Sequence, residues 1–475
     1  MATATQDRGG AAVPERPVKP AEASVPEAPG EKRRETGRKA GGNRIPELDG
    51  LRVLMIFIVS AYHIWQQSWL TPRIGSYSLD YLMRSGYVWV DGTVLLSSFL
   101  LFLPYALAAR EGRPLPDARE FYARRVRRIV PSFYFIILAT FLGITLPWKL
   151  YHSPQYMVKD LATHLTFTFP FFYDTYIQTP LGAASWTLAI EVQAYLLFPL
   201  IARAAVKKPA AVLGGMTAAA FAVRLWMLWS LQDFAMIVNQ LISFVDVYAL
   251  GMALALLYVR LRERERAAEG APLLHRLLPR IAATVFFLAA CWGMVQMLRL
   301  QASSTPWNAD QGFAGWLAGK LNNLTAASLS ESASQTVIQR NQLAYRFPFA
   351  LFFGAMILTA PFALRPLRLL LGNPVTRFLS GISMNYYLTH QVIINHMRRI
   401  GFPPSENAYP NQAGEQPWQT QYVIWSFALS FAAAVLVTYL VEKPAARWLE
   451  RRRSAKTARK RKEAPALPGA VKPLN

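Results

Sequence analysis

Six ionisable side chains sit inside long apolar runs of this chain: His63, Asp91, Glu191, Arg224, Asp246 and His390. Bringing such a group into a bilayer costs about 2.5–3.5 kcal/mol on insertion scales, so each one calls for a partner or a function. Counted at about 1.5 Å per residue from the ends of the runs, His63 comes out roughly 17 Å from the level of Arg52. On the same reckoning His390 falls at about 18 Å, Glu191 at about 21 Å, and Asp91, Arg224 and Asp246 at about 18–23 Å. Six groups on six helices therefore share one layer, the pattern of a buried polar site. A carboxylate beside an imidazole raises its basicity and fixes its tautomer, which is general acid–base chemistry.

Helical phase adds to the grouping. Residues eleven apart differ by about 20° around a helix, so Arg52 and His63 share a face. Glu191 and Tyr195 are spaced i, i+4, and Ser383, Tyr387 and His390 follow i, i+4, i+7, each set forming a polar stripe. Plainer readings stand beside these. A lone histidine on an apolar helix is commonly a hydrogen-bonded structural residue, Glu191 could neutralise Arg224, and Asp91 and Asp246 could be helix-packing hydrogen-bonders. His152, His164, His275 and His396 lie in loops or near run ends and receive no role.

The elements that must carry these residues are transmembrane helices. Of the 475 residues 53% are hydrophobic and only 17% charged, the balance of a polytopic membrane protein. The formal net charge of +23 is concentrated between and beyond the apolar runs, which reads as membrane topology and not as nucleic-acid binding. Spanning needs roughly 20 apolar residues, and about ten runs qualify: 51–69, 86–108, 129–148, 185–204, 210–231, 238–259, 280–300, 346–364, 378–396 and 421–441. The expected fold is all-α, with about ten transmembrane helices. The stretch 161–172 is too short to span and reads as re-entrant or interfacial. The single cysteine, Cys291, lies in an apolar run, so neither a disulfide framework nor a cysteine metal site is expected.

Residues 1–43 are rich in Ala, Pro, Glu, Lys and Arg without an apolar stretch and read as a disordered cytoplasmic tail. Residues 44–448 form the expected membrane domain, and 449–475 a second, basic and Pro-containing cytoplasmic tail. With the amino terminus inside, the loops 109–128, 205–209, 260–279 and 365–377 are cytoplasmic and all are basic, as charge bias requires, although Arg398 and Arg399 depart from the pattern on the other side. The expected location is the cell membrane, multi-pass, with membrane lipid as a partner. The arginine run 124–128 is by default a topology signal and a headgroup contact. The polar loop 301–345, with Trp307 and Trp316, is the expected place for recognition of an acceptor.

Five segments also resemble the acyltransferase-3 family of integral membrane O-acyltransferases. RIPELDGLRVLMIFIVSAYH holds Arg52 and His63 as in that family's amino-terminal arginine and histidine pair. FYARRVRRIVP supplies Arg124, Arg125, Arg128 and Pro131 in its arginine-rich pattern. SWTLAIEVQAYLLFP is similar to its Trp-x-Leu-x-x-Glu-x-x-x-Tyr segment and gives Trp186, Glu191 and Tyr195. ISMNYYLTHQ is similar to its Ser-x-x-x-Tyr-x-x-His helix and gives Ser383, Tyr387 and His390, and VEKP follows at Glu442 to Pro444. One segment departs: VDGTVLLSSF keeps Asp91, Ser97 and Phe99 but replaces an aromatic pair and a glycine of the family, in a stretch expected to line the site.

The resemblance implies transfer of an acyl group, acetyl being the expected one, from cytoplasmic acyl-CoA to a hydroxyl of a glycan or other acceptor. Acyl-CoA is then a co-substrate and no metal is called for. Arg52, Arg124, Arg125 and Arg128 are the expected grip on the CoA phosphates, with Arg127 beside them. His63 is the expected general base or acyl-carrying nucleophile, with Glu191 serving a histidine. Tyr195, Tyr387, His390 and Trp186 are the expected acceptor or oxyanion contacts. A transporter or flippase of a glycan is the competing class, since a charged midplane layer also suits a substrate pathway; the chain shows no inverted repeat of that kind.

Overall fold

A computed structural model describes residues 44–182, 185–230, 236–303 and 334–463, with backbone alone for 228–230, 303, 334–344 and 456–463. The amino-terminal tail, most of the loop 301–345 with Trp307 and Trp316, and residues 464–475 lie outside the described residues. The folded body is helical: α1 Glu47–Ser68, α2 Trp89–Arg110, α3 Ala118–Thr140, α4 Pro154–Leu165, α5 Trp186–Lys207, α6 Pro209–Ser230, α7 Val245–Ala267, α8 Leu273–Ser303, α9 Ser334–Thr359, α10 Pro374–Arg399, α11 Gln416–Leu436 and α12 Lys443–Glu463. A two-residue hairpin, Arg73–Ile74 with Tyr77–Ser78, is the only sheet among the described residues.

Nine helical segments among the described residues are long and apolar enough to cross a membrane. The tenth expected span corresponds to α10, whose 26 residues suffice in length but not in apolarity. It is polar because its side chains are turned onto α1 and α11, both of which pack along it. The protein is an all-α, multi-pass membrane protein.

Several helices outrun their apolar stretches. Residues 118–128, expected in a loop, are the first turns of α3: the Asp117 carboxylate accepts from the Glu120 backbone N–H at 2.8 Å and caps the helix. The arginine run is thus held on a helix. α10 begins with a capping box, Asn373 and Thr376 bonding each other's backbone, with Pro374 at its first position. Beyond α11 the backbone widens into a π-helical turn, Val437–Glu442, then continues as α12, so the basic segment from 449 starts as helix.

α2 is the core helix, packed against α7, α1, α9 and α5, with Leu95, Phe99 and Phe102 wholly buried. α8 by contrast shows Phe286, Leu288 and Trp292 on its outer face, as a lipid-facing helix does. The short 161–172 stretch does not span. It belongs to α4 and the turn after it, where buried His164 and Asp160 pair at 3.2 Å and Tyr151 and Thr179 each donate to Asp160 Oδ2 at 2.9 Å. Burial and that carboxylate push the Tyr151 phenol above its usual value.

Two features hold the helices in register. The first is a closed set of four charges. Arg224 on α6 donates to Asp246 on α7, and Arg346 on α9 pairs with Asp91 on α2 at 3.3 Å. The Ser243 carbonyl accepts from both arginines, at 2.9 and 3.2 Å, and the Arg346 guanidinium stacks 3.9 Å from the Phe244 ring. Arg224 is therefore neutralised by Asp246 and not by Glu191. The second is close approach at glycine: a Cβ on Gly251 of α7 would meet Ser98 Oγ at 1.8 Å and Leu95 O at 2.7 Å on α2, and one on Gly50 of α1 would meet the Leu371 backbone at 2.4 Å. Small residues let helix backbones approach where no hydrophobic effect drives them together.

Asp246→Ala leaves the Arg224 guanidinium buried without its carboxylate and is expected to cost about 3–5 kcal/mol, read as a lowered unfolding temperature in detergent. Gly251→Leu is expected to cost about 1–3 kcal/mol or more by the same measurement, while leucine at exposed positions of α8 changes little.

Candidate active site

Two cavities lie among the described helices, and most of the expected site residues divide between them, while Arg124 and the wholly buried His390 line neither. One, of about 200 Å³, is lined by Arg52, Arg125, Arg128, Glu191, Tyr195 and Ser383, with Thr93, Ser97 and neighbours of α2 forming an apolar wall. The other, of about 180 Å³, is lined by Tyr62, His63, Asp91, Trp186, Asn239 and Arg346, together with Tyr87. Tyr387 lines both.

The arginine cavity gathers five helices, α1, α2, α3, α5 and α10, around the Glu191 carboxylate. Tyr195 Oη donates to Glu191 Oε2 at 2.6 Å, the i, i+4 pair expected on α5. The Arg125 guanidinium sits 5.3 Å from the Tyr195 ring and 5.4 Å from that of Phe121, and its Nε has no hydrogen-bond partner among the described residues. Stacking fixes the plane of the guanidinium while leaving donors free. Arg52 Nη1 donates to Ser380 Oγ at 3.3 Å, and that hydroxyl donates to Asp49 Oδ1 at 2.9 Å. Three guanidinium groups against one carboxylate leave the cavity with excess positive charge, which suits an anionic ligand.

Not all the expected arginines face it. Arg124 is exposed and pairs with Glu120 at 3.3 Å, as does Arg127 at 3.4 Å, and Arg453 of α12 reaches the same carboxylate. Glu120 thus gathers cations on the outside of α3, while Arg125 and Arg128 line the cavity, Arg128 with much of its side chain still exposed.

The histidine cavity is built at the far end of α1. His63 Nδ1 lies 2.9 Å from Gln66 Oε1, and Gln66 Nε2 donates to Tyr62 Oη at 2.9 Å. The His390 ring lies 5.3 Å from that of His63, and its Nδ1 is 2.6 Å from the Tyr387 carbonyl. Trp186, the first residue of α5, faces this cavity, whereas Glu191, five residues on, faces the other. His63 and Glu191 are therefore brought to different cavities, and the described partner of Glu191 is Tyr195, not a histidine.

Gln66, Tyr87, Asn239 and Arg346 were not marked by sequence. Gln66 carried a signal, at i+3 from His63 on the same helix face. Arg346 stands at the edge of an apolar run, where a cation reads as a flank. Among the described residues no group of three or more His, Cys, Asp or Glu side chains could hold a metal ion.

Comparison with known proteins accords with this arrangement. The family described as an acyltransferase domain matches residues 45–443. The peptidoglycan O-acetyltransferase OatA of Listeria monocytogenes is 26% identical over 168 residues, 33% of this chain and 24% of that protein. The O-acetyltransferase OatA of Staphylococcus aureus is 26% identical over 167 residues, again 33% of this chain and 24% of that protein. The matched region spans about a quarter of the length of these relatives. No solved structure matches. A family match running from α1 to the start of α12, over all the helices that line the two cavities, means that the chain belongs to the acyltransferase-3 family and is a membrane acyltransferase.

Proposed function

We propose that this protein is an O-acetyltransferase of the cell membrane, with both termini cytoplasmic, that carries an acetyl group from cytoplasmic acetyl-CoA to a hydroxyl of a glycan. The observation that carries the reading is Tyr387, the wall common to a cation-rich cavity and a histidine-bearing one. Donor and base then need cross only one side chain to meet. The basic loops on one side favour the orientation, and the relatives' action on peptidoglycan favours a glycan.

In this reading Arg52, Arg125 and Arg128 hold the phosphates of the donor by charge-assisted hydrogen bonds. The pantetheine arm runs along the Arg52–His63 face of α1, about 16 Å at 1.5 Å per residue. Glu191 holds Tyr195, and through it the Arg125 stack, so that its role is to keep the cationic cavity in shape. Arg124 contributes to the field at the mouth of the cavity. His63 takes the proton from the acceptor hydroxyl as the oxygen attacks the thioester carbonyl. The C–O bond forms, the C–S bond breaks, and the CoA thiolate leaves and regains the proton. Trp186 and Tyr387 contact the acceptor.

The test is label transfer from acetyl-CoA to soluble peptidoglycan fragments by the purified protein in liposomes. His63→Ala is expected to lower turnover by roughly 10²–10⁴-fold with the KM for acetyl-CoA little changed, the signature of a lost base. Arg125→Ala is expected to raise that KM tenfold or more, since a hydrogen bond to a charged group contributes about 1.5–3 kcal/mol. Turnover that survives His63→Ala intact, or fragments crossing the bilayer without label, would sink the enzyme reading and leave a transporter in its place.

A further inference from the structure

His390 is wholly buried, yet one of its ring nitrogens has nothing to bond. Its Nδ1 lies 2.6 Å from the Tyr387 carbonyl, which can only accept, so Nδ1 carries the hydrogen. The neutral ring then bears its lone pair on Nε2, and that atom has no hydrogen-bond partner among the described residues and no access to solvent. Leaving a buried acceptor unpaired costs about 1–3 kcal/mol, a cost that calls for an explanation.

The neighbours narrow it. Of the rings around His390, Tyr386 is parallel to it at 6.1 Å and its hydroxyl is already bonded to Ser60 at 2.9 Å. Tyr387 lies 5.5 Å away and supplies the carbonyl. His63 is nearest, 5.3 Å between centroids and tilted by 40°. With its Nδ1 hydrogen given to Gln66 Oε1, neutral His63 also has its lone pair on Nε2. Two imidazoles thus stand side by side, each locked by an oxygen at Nδ1 and each without a hydrogen at Nε2. His63 lines the cavity and His390 lies behind it; the other ionisable groups lining the cavity are Tyr62 from α1, Tyr87, Asp91 from α2 and Arg346 from α9, with Tyr387 from α10. Asp91 is engaged by Arg346 and Tyr62 by Gln66, so neither is free to take a proton.

We propose that His63 and His390 act as one base, the proton that His63 Nε2 takes from the acceptor hydroxyl being shared with the waiting lone pair of His390 Nε2. This rests on the acyl-transfer reading above and adds to it a partner for the imidazolium in place of Asp91, the carboxylate that lines the histidine cavity but is held by Arg346. The balance is simple: the acceptor O–H breaks, one N–H forms, that hydrogen is held in an N–H···N bond while the ester forms, and it passes to the departing thiolate. An N–H···N bond to a positive ring is charge-assisted, so it exists only after proton transfer has begun and stabilises that state selectively. His390 acts through His63 and is a positioning residue.

The experiment is a double-mutant cycle on the full chain in liposomes, with acetyl-CoA and soluble peptidoglycan fragments, following thiol release. His390→Phe is expected to lower kcat by tenfold or more with the KM for acetyl-CoA unchanged. His390→Gln, whose amide oxygen can reach the place of Nε2, is expected to restore most of that loss. In a His63→Ala background His390→Phe is expected to lower the residual rate no further. Unfolding temperatures in detergent within a few degrees of wild type for His390→Gln keep the comparison on folded protein. A full, multiplicative loss in the His63→Ala background, or no rescue by glutamine, overturns the inference while leaving acyl transfer standing. A wild-type protein that releases no thiol overturns both.

Discussion

The seam between α1 and α10 is the contact on which the rest of the bundle depends. α10 carries Ser380, Ser383, Asn385, Tyr386, Thr389 and His390 as buried residues, too many polar groups for a helix that faces lipid. It is tolerable in a bilayer only because neighbours satisfy it. On one side Asn385 Nδ2 donates to Thr438 Oγ1 at 2.8 Å and Glu442 Oε2 at 2.7 Å, in the widened turn after α11. On the other, α1 meets it at three depths: Arg52 at Ser380, Ser60 at Tyr386, His63 against His390. Both numbers rise together, so the two helices run parallel. Parallel first and ninth helices require an odd number of crossings between them, which is what α10 as the ninth of ten spans provides.

The charges of the bundle then fall into two kinds. Asp91, Arg224, Asp246 and Arg346 sum to zero, and the two arginines share the Ser243 carbonyl. Its energetic content lies in not being broken, since a buried pair contributes little over an apolar substitute but a buried single charge costs several kcal/mol. Arg52, Arg125, Arg128 and Glu191 do not sum to zero, and the surplus is positive. A cavity with surplus charge and unspent donors is poised for a ligand. The ionisable residues of the bundle thus divide into a paired set that ties helices together and a set that lines a cation-rich cavity.

That division marks the limit of what the sequence makes legible. Depth from run boundaries brings out the layer, and i, i+4 spacing brings out Glu191 with Tyr195, because both follow from helix geometry. Partners across helices do not. Arg224 meets Asp246 instead of Glu191 because α6 packs on α7, a tertiary fact without a local trace. Arg346 escapes notice because it begins the apolar run that follows it. That Arg125 and Arg128 line the cavity while Arg124 does not depends on residues 118–128 being helix, and charge density there masks the helical period. The motifs that resemble the acyltransferase-3 family bring out the right helices, but not that Trp186 and Glu191, five residues apart, open onto different cavities.

Separate cavities also separate the sources of specificity. Thr93, Val94, Leu96 and Ser97, from the segment in which this chain departs from its family, line the arginine cavity and not the histidine one. In the acyl-transfer reading the lost aromatic pair therefore bears on the donor's acyl chain, for which smaller side chains leave more room. In the same reading the acceptor meets a different set, Tyr62, Tyr87, Asp91, Asn239 and Arg346, drawn from α1, α2, α9 and the connecting turns. Substitutions at Thr93, Leu96 or Ser97 then bear first on the group transferred, while Val90 and Asp91 of the same helix line the histidine cavity and Tyr387 lines both.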